Sequence, residues 1–156
     1  MAFSLPGFDL DRFVRDTLAE DLGPGGRDVT SEAVIPEGAR FAGLMDSREA
    51  IVVAGLPVAE AFFRALDPEV EIERVAGEGE SVGVGADLLR LRGRARALLT
   101  AERSALNLVQ HLSGIATLTR RYVDAIAGTG AVLLDTRKTL PGLRVLEKYE
   151  IGRAHV

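Results

Sequence analysis

No cysteine occurs among the 156 residues, which removes disulfide frameworks, thiolate metal sites and a cysteine nucleophile together. No apolar run approaches the roughly 20 residues that a membrane-spanning helix needs. The first residues, MAFSLPGFDLDRF, lack a basic stretch followed by an apolar one, so the expectation is a cytoplasmic protein with no membrane partner. Histidine is scarce: His111 and His155 lie far apart, neither with a second ligand at metal spacing, which argues against a histidine metal centre. His111 reads as a packed or surface side chain. Aromatic residues make up 5% of the chain, too few to interleave with basic groups and stack nucleic-acid bases. The glycines at Gly77, Gly79, Gly83 and Gly85 do not have the spacing of a dinucleotide-binding turn, and no phosphate-cradling Gly-x-x-x-x-Gly-Lys-Ser/Thr is present. Neither Ser104 nor Ser113 sits in a nucleophile elbow.

What is present suits a folded enzyme-sized unit. With 47% hydrophobic and 27% charged residues, the chain can bury a core of one domain or a little more. The formal net charge of −4 hides an asymmetry: residues 1–86 carry 7 basic and 17 acidic side chains, residues 87–156 carry 12 basic and 6 acidic. A basic second half suggests contact with an anion, although two ordinary solvated faces would have the same composition.

Leu10, Phe13, Val14, Leu18 and Leu22 recur at helical spacing, with Asp9 placed to cap the start and Gly23 to end it. The Gly-, Pro-, Ser- and Thr-rich stretch that follows predicts a long surface loop, functional or a packed connector. Apolar clusters at Phe41, Leu44 and Met45 and at Ile51 to Val53 predict two strands joined by a turn. Pro57 opens a helix with Val58, Ala61, Phe62 and Leu66 on one face. Val70, Ile72 and Val75 predict a strand, and a further strand places Leu89, Leu91, Gly93 and Ala95 opposite Arg90, Arg92, Arg94 and Arg96. Four arginines on one face could track a phosphate backbone. Pairing with Glu69, Glu71 and Glu73 on the preceding strand is the favoured alternative.

Thr100 is a candidate cap for a helix bearing Leu106, Val109 and Leu112, with Arg103 in an early turn. A cation there opposes the helix dipole, which points to some other group holding it. Ser113 and Gly114 punctuate, and a second helix is expected from Ile115 to Ala127. The stretch AVLLDTRKTLPGLR, residues 131–144, then reads as a buried strand, Val132 to Leu134, that delivers Thr136, Arg137 and Lys138 at its carboxyl end before Pro141 and Gly142 turn the chain. Donors in that position are where α/β folds place anion sites. Residues 142–149 allow a helical turn or two.

Three blocks, EDLGPGGRDVTSEAVIP (20–36), TAERSALNLVQHLSGIATLTRRYVDAI (100–126) and LLDTRKTLPGLRVLEKY (133–149), resemble quinolinate phosphoribosyltransferase in order and spacing. The resemblance implies an α+β N-terminal open-sandwich domain over 1–112 for dimerisation and substrate contact, followed over 113–156 by the first unit of an α/β barrel. It implies transfer of phosphoribosyl from phosphoribosyl pyrophosphate to quinolinate with decarboxylation, giving nicotinate mononucleotide, CO2 and pyrophosphate for NAD biosynthesis. Thr136, Arg137 and Lys138 would contact the dicarboxylate and the phosphoribosyl donor, with Arg137 and Lys138 catalytic. Arg103 would reach into the neighbouring site of a homodimer. Mg²⁺ would accompany the donor. Forked arginines and a point-charge lysine suit such anions.

One departure matters. Family members continue after EKY into a glycine-rich stretch, an Asn-His-Arg block, another lysine and acidic residues serving ribose and metal, whereas this chain reads EIGRAHV. The expectation is the N-terminal half of a family chain from a truncated or misassembled reading frame, inactive alone. Exposed apolar faces at Val132 to Leu134 and on the 115–126 helix would then make it poorly soluble or partner-dependent. A related molybdenum-transport-associated protein shares the architecture, but the LPGLR and EDLG…DVTS blocks favour the quinolinate enzyme. A non-catalytic oligomerisation or nucleic-acid-binding module built on the arginine strand is the remaining alternative.

Overall fold

The computed structural model describes residues 3–154, and His155 lies outside them. In chain order the elements are α1 (Leu10–Leu22), α2 (Val29–Val34), β1 (Arg40–Asp46), β2 (Ile51–Val52), α3 (Leu56–Leu66), β3 (Glu71–Arg74), β4 (Ser81–Val82), β5 (Asp87–Arg94), α4 (Ala95–Ile126) and α5 (Arg144–Ala154).

Local chemistry accounts for α1. The Asp9 carboxylate accepts the Arg12 N–H at 2.9 Å, Gly23 closes the helix at φ 65°, and Val14 and Leu18 turn inward. The stretch expected to be a loop contains α2. Asp28 starts it by accepting both the backbone N–H and the hydroxyl of Ser31, at 3.0 and 2.6 Å. Six residues are too few to reveal apolar periodicity, so only the cap could have announced this helix.

β5 is the centre of a three-stranded antiparallel sheet in the order β1-β5-β3. Its residues alternate as expected, with Leu89, Leu91 and Gly93 buried and Arg90, Arg92 and Arg94 exposed. β1 and β2 do not pair with each other: β1 joins β5, whereas β2 pairs antiparallel with β4. Register places Glu71 opposite Arg92 and Glu73 opposite Arg90, the favoured electrostatic pairing. The arginine row is shorter than expected, because Ala95 and Arg96 already belong to α4. Arg94 bonds instead to Asp67, its N–H 2.8 Å from Oδ2 and its Nε 3.2 Å from Oδ1. Helices α3 and α4 pack together over the sheet, enclosing Leu56, Phe62, Leu89 and Leu112.

α4 corrects three expectations. It is one helix of 32 residues rather than two, it starts at Ala95, and Thr100 lies inside it rather than at its cap. Ser113 and Gly114 do not break it because their neighbours outside the helix reward continuity. Ser113 Oγ accepts the Ala54 N–H at 3.0 Å and Thr117 Oγ1 accepts the Val52 N–H at 2.8 Å, so both hydroxyls serve the β2 segment. The expected division between residues 112 and 113 thus falls within a continuous helix.

The stretch Val132 to Leu134 is not a strand. It joins no ladder, and Val132 and Leu134 are 76% and 78% exposed. A strand needs a neighbour for its N–H and C=O groups, and among the described residues none lies beside it. Leu118 and Tyr122 on the last turns of α4 are also exposed, as the sequence predicts.

Candidate active site

The segment between α4 and α5 carries the cluster of cations singled out in the sequence. Gly128 at φ 76° and Gly130 at φ 77° lead the chain away from α4. Thr136 Oγ1 accepts the Lys138 N–H at 3.1 Å, a local side-chain turn around Arg137 and Lys138, both of which are exposed. Among the described residues neither the Arg137 guanidinium nor the Lys138 ammonium has a hydrogen bond or ion pair. Two cations adjacent in sequence and without partners among the described residues have the chemistry to receive an anion: a planar fork for two oxygens and a point charge for a third.

The segment is secured from the side of α5. Asp135 Oδ2 lies 2.8 Å from Lys148 Nζ, the Leu140 N–H donates to Glu147 Oε1 at 3.3 Å, and Arg144 Nε donates to Thr139 Oγ1 at 3.2 Å. Gly142, at φ 83°, makes the turn into the helix. α5 is held in its turn by α4, through fully buried Leu146 and through His111 Nε2, 2.9 Å from the buried Glu147 carboxylate. His111 is therefore half-buried and bonded, in keeping with its reading as a packed histidine. Sequence reasoning did not find Glu147 and Lys148. An acid in the first turn of α5 was a visible signal, but its partner lies 36 residues away.

Arg103 belongs to a different assembly. Its Nη1 donates to Asp21 Oδ1 at 2.8 Å, on the last turn of α1, and this is the group that holds it. One face of α4 clasps the 20–36 stretch. Arg96 donates to the carbonyls of Ile35 and Glu32 at 2.8 and 3.1 Å, and the Thr100 hydroxyl donates to Asp28 at 2.9 Å. The spacings of four and three put all three residues on one helical face. The Ser31 hydroxyl and N–H, with some help from Thr100, hold the Asp28 carboxyl below its ordinary value. No hydrogen bond or ion pair among the described residues joins Arg103 to Thr136, Arg137 or Lys138.

Three of the four arginines expected as a nucleic-acid alternative, Arg90, Arg94 and Arg96, are engaged internally, whereas Arg92 only faces Glu71 across the register. Arg90 pairs with Asp87 at 2.8 Å and Glu73 at 3.4 Å, which raises its pKa, Asp87 contributing most. Arg94 is taken by Asp67. Among the described residues no group of three or more His, Asp or Glu side chains could hold a metal ion. Asp135 within the segment and Glu147 bonded against it are already occupied, so this segment does not fit a protein-held Mg²⁺.

Comparison with known proteins follows these contours. The profile described as quinolinate phosphoribosyl transferase, N-terminal domain, matches residues 28–113, and that of the C-terminal domain matches 115–154. A probable carboxylating nicotinate-nucleotide pyrophosphorylase of Synechocystis is 46% identical over 145 residues, 92% of this chain and 48% of the relative. A carboxylating nicotinate-nucleotide pyrophosphorylase of Mycobacterium leprae is 47% identical over 143 residues, covering 88% and 49%. The crystal structure of NadC from Streptococcus pyogenes superposes with a TM-score of 0.90 at 35% identity, over 98% of this chain and 54% of that one. The chain spans about half the length of the curated relatives it matches.

Proposed function

Because this chain belongs to the quinolinate phosphoribosyl transferase family, we propose that it takes part in transferring phosphoribosyl from phosphoribosyl pyrophosphate to quinolinate. The pyridine nitrogen bonds to the anomeric carbon as the bond to pyrophosphate breaks. The carboxylate beside the nitrogen leaves as CO2, a proton replaces it, and nicotinate mononucleotide results. The observation that carries this reading is the pair of exposed, internally unpartnered cations, Arg137 and Lys138, poised by the Thr136 turn.

Each residue has a role that its chemistry suits. Arg137 clamps a carboxylate of the pyridine with two parallel N–H donors. Lys138 offsets charge on the departing pyrophosphate, whose separation leaves a cationic ribose centre. Thr136 holds both in register through its bond to the Lys138 N–H. Arg103, exposed on α4 and bonded among the described residues to α1 through Asp21, serves the site of a second copy in a homodimer. Mg²⁺ enters with the phosphoribosyl donor. Among the described residues no helix is long and apolar enough to cross a membrane, and we assign the reaction to the cytoplasm.

Titration calorimetry of the 156-residue chain with quinolinate tests the assignment. Arg137→Ala and Lys138→Ala should each weaken binding about tenfold or more, as expected for a lost charge-assisted bond of roughly 1.5–3 kcal/mol. Unchanged affinity in both variants would refute the site.

A further inference from the structure

Immediately before the cation pair stands an acid. Asp135 lies two residues from Arg137 and three from Lys138, and an unsecured carboxylate at that distance in the chain competes with any incoming anion for both. Two exposed cations with a free acid beside them would close on it and present a neutralised surface. The structure has a different arrangement: Asp135 Oδ2 is bound to Lys148 Nζ at 2.8 Å, each side chain only about a third exposed, at 34% and 38%. Lys148 is itself fixed, since it follows directly on Leu146 and Glu147, which anchor α5 to α4 through burial and the His111 bond.

We infer that Lys148 is a positioning residue for the anion site, one that sequesters Asp135 and so keeps Arg137 and Lys138 open to a di- or polyanionic substrate. This rests on reading the segment as the quinolinate and phosphoribosyl pyrophosphate site. Asp135 is retained nearby as a counter-charge that is satisfied before the ligand arrives. A ligand therefore has no internal ion pair to displace, and the cations meet it unpaired.

Phenylglyoxal labelling of Arg137 in the 156-residue chain, located by peptide mass mapping and normalised to exposed Arg121, reads the state of the guanidinium directly. Lys148→Met should slow labelling of Arg137 about threefold, the competition expected of a partly exposed ion pair. The double variant Lys148→Met with Asp135→Asn should restore it, and Lys148→Arg should leave it unchanged. Restoration separates this role from a general loosening of α5, which the double variant would share with the single one. Unaltered labelling in Lys148→Met, or no recovery in the double variant, would overturn the inference. Quinolinate should protect Arg137 in the wild-type chain. If it does not, the substrate assignment fails, while the pattern among the Lys148 variants still judges the inference.

Discussion

Asp67 has no polar neighbour in sequence that marks it as special, yet it is 2% exposed and serves three donors. Its Oδ2 accepts the Arg94 N–H at 2.8 Å, and Oδ1 accepts the Glu69 N–H at 3.3 Å and lies 3.2 Å from Arg94 Nε. The Arg94 backbone bond above all holds the carboxyl below its ordinary value, against the opposing effect of burial. A carboxyl with a depressed folded-state pKa contributes stability above its unfolded value, about 3.9, and loses it as pH falls through the lower folded one. Asp28 acts in the same direction. Urea midpoints should therefore stay level near neutrality and fall below about pH 4. Asp67→Asn should cost about 2 kcal/mol at pH 7 and flatten the acid limb. The contrast with Asp9 and Gly23 shows what a sequence reveals at this scale. A cap bonds within three residues and is legible, whereas Asp67 meets Arg94 27 residues on.

Among the elements, α4 is the one most misread, and the cause lies outside it. Ser113 and Gly114 look like a break by propensity, but the Ser113 hydroxyl is committed to Ala54, 59 residues back. Tertiary bonds override the local preference. The strand alternation of β5 and the acidic face of β3 were legible because side-chain period and charge are local properties. The close approach of α3 and α4 was not. At Gly55, φ is 91° and a Cβ would stand 2.8 Å from Leu112 Cδ1. Gly55→Ala should thus combine backbone strain with overpacking and lower stability by about 2–3 kcal/mol, measured by thermal unfolding.

For the molecule as a whole, three ordered blocks were enough to find the family and the cation pair, since both rest on residue identity. That Val132 to Leu134 joins no ladder could not be seen by the same route, because pairing depends on residues distant in sequence. Leu118, Tyr122, Val132, Leu134 and Leu140 are large apolar side chains left exposed along α4 and the segment after it. Val132→Ser with Leu134→Ser should reduce concentration-dependent light scattering without lowering the melting temperature; persistent scattering would place the sticky surface elsewhere. One route of association is closed by the hydroxyls of α4. The Val53 N–H bonds to Glu80 on the β4 side, and the outward N–H groups of Val52 and Ala54 are consumed by Thr117 and Ser113. A sheet margin whose donors are already spent on a helix cannot template another chain. Association through the β2 margin should accordingly be disfavoured, which leaves β1 and β3, the outer strands of the β1-β5-β3 sheet, as the open edges among the described residues.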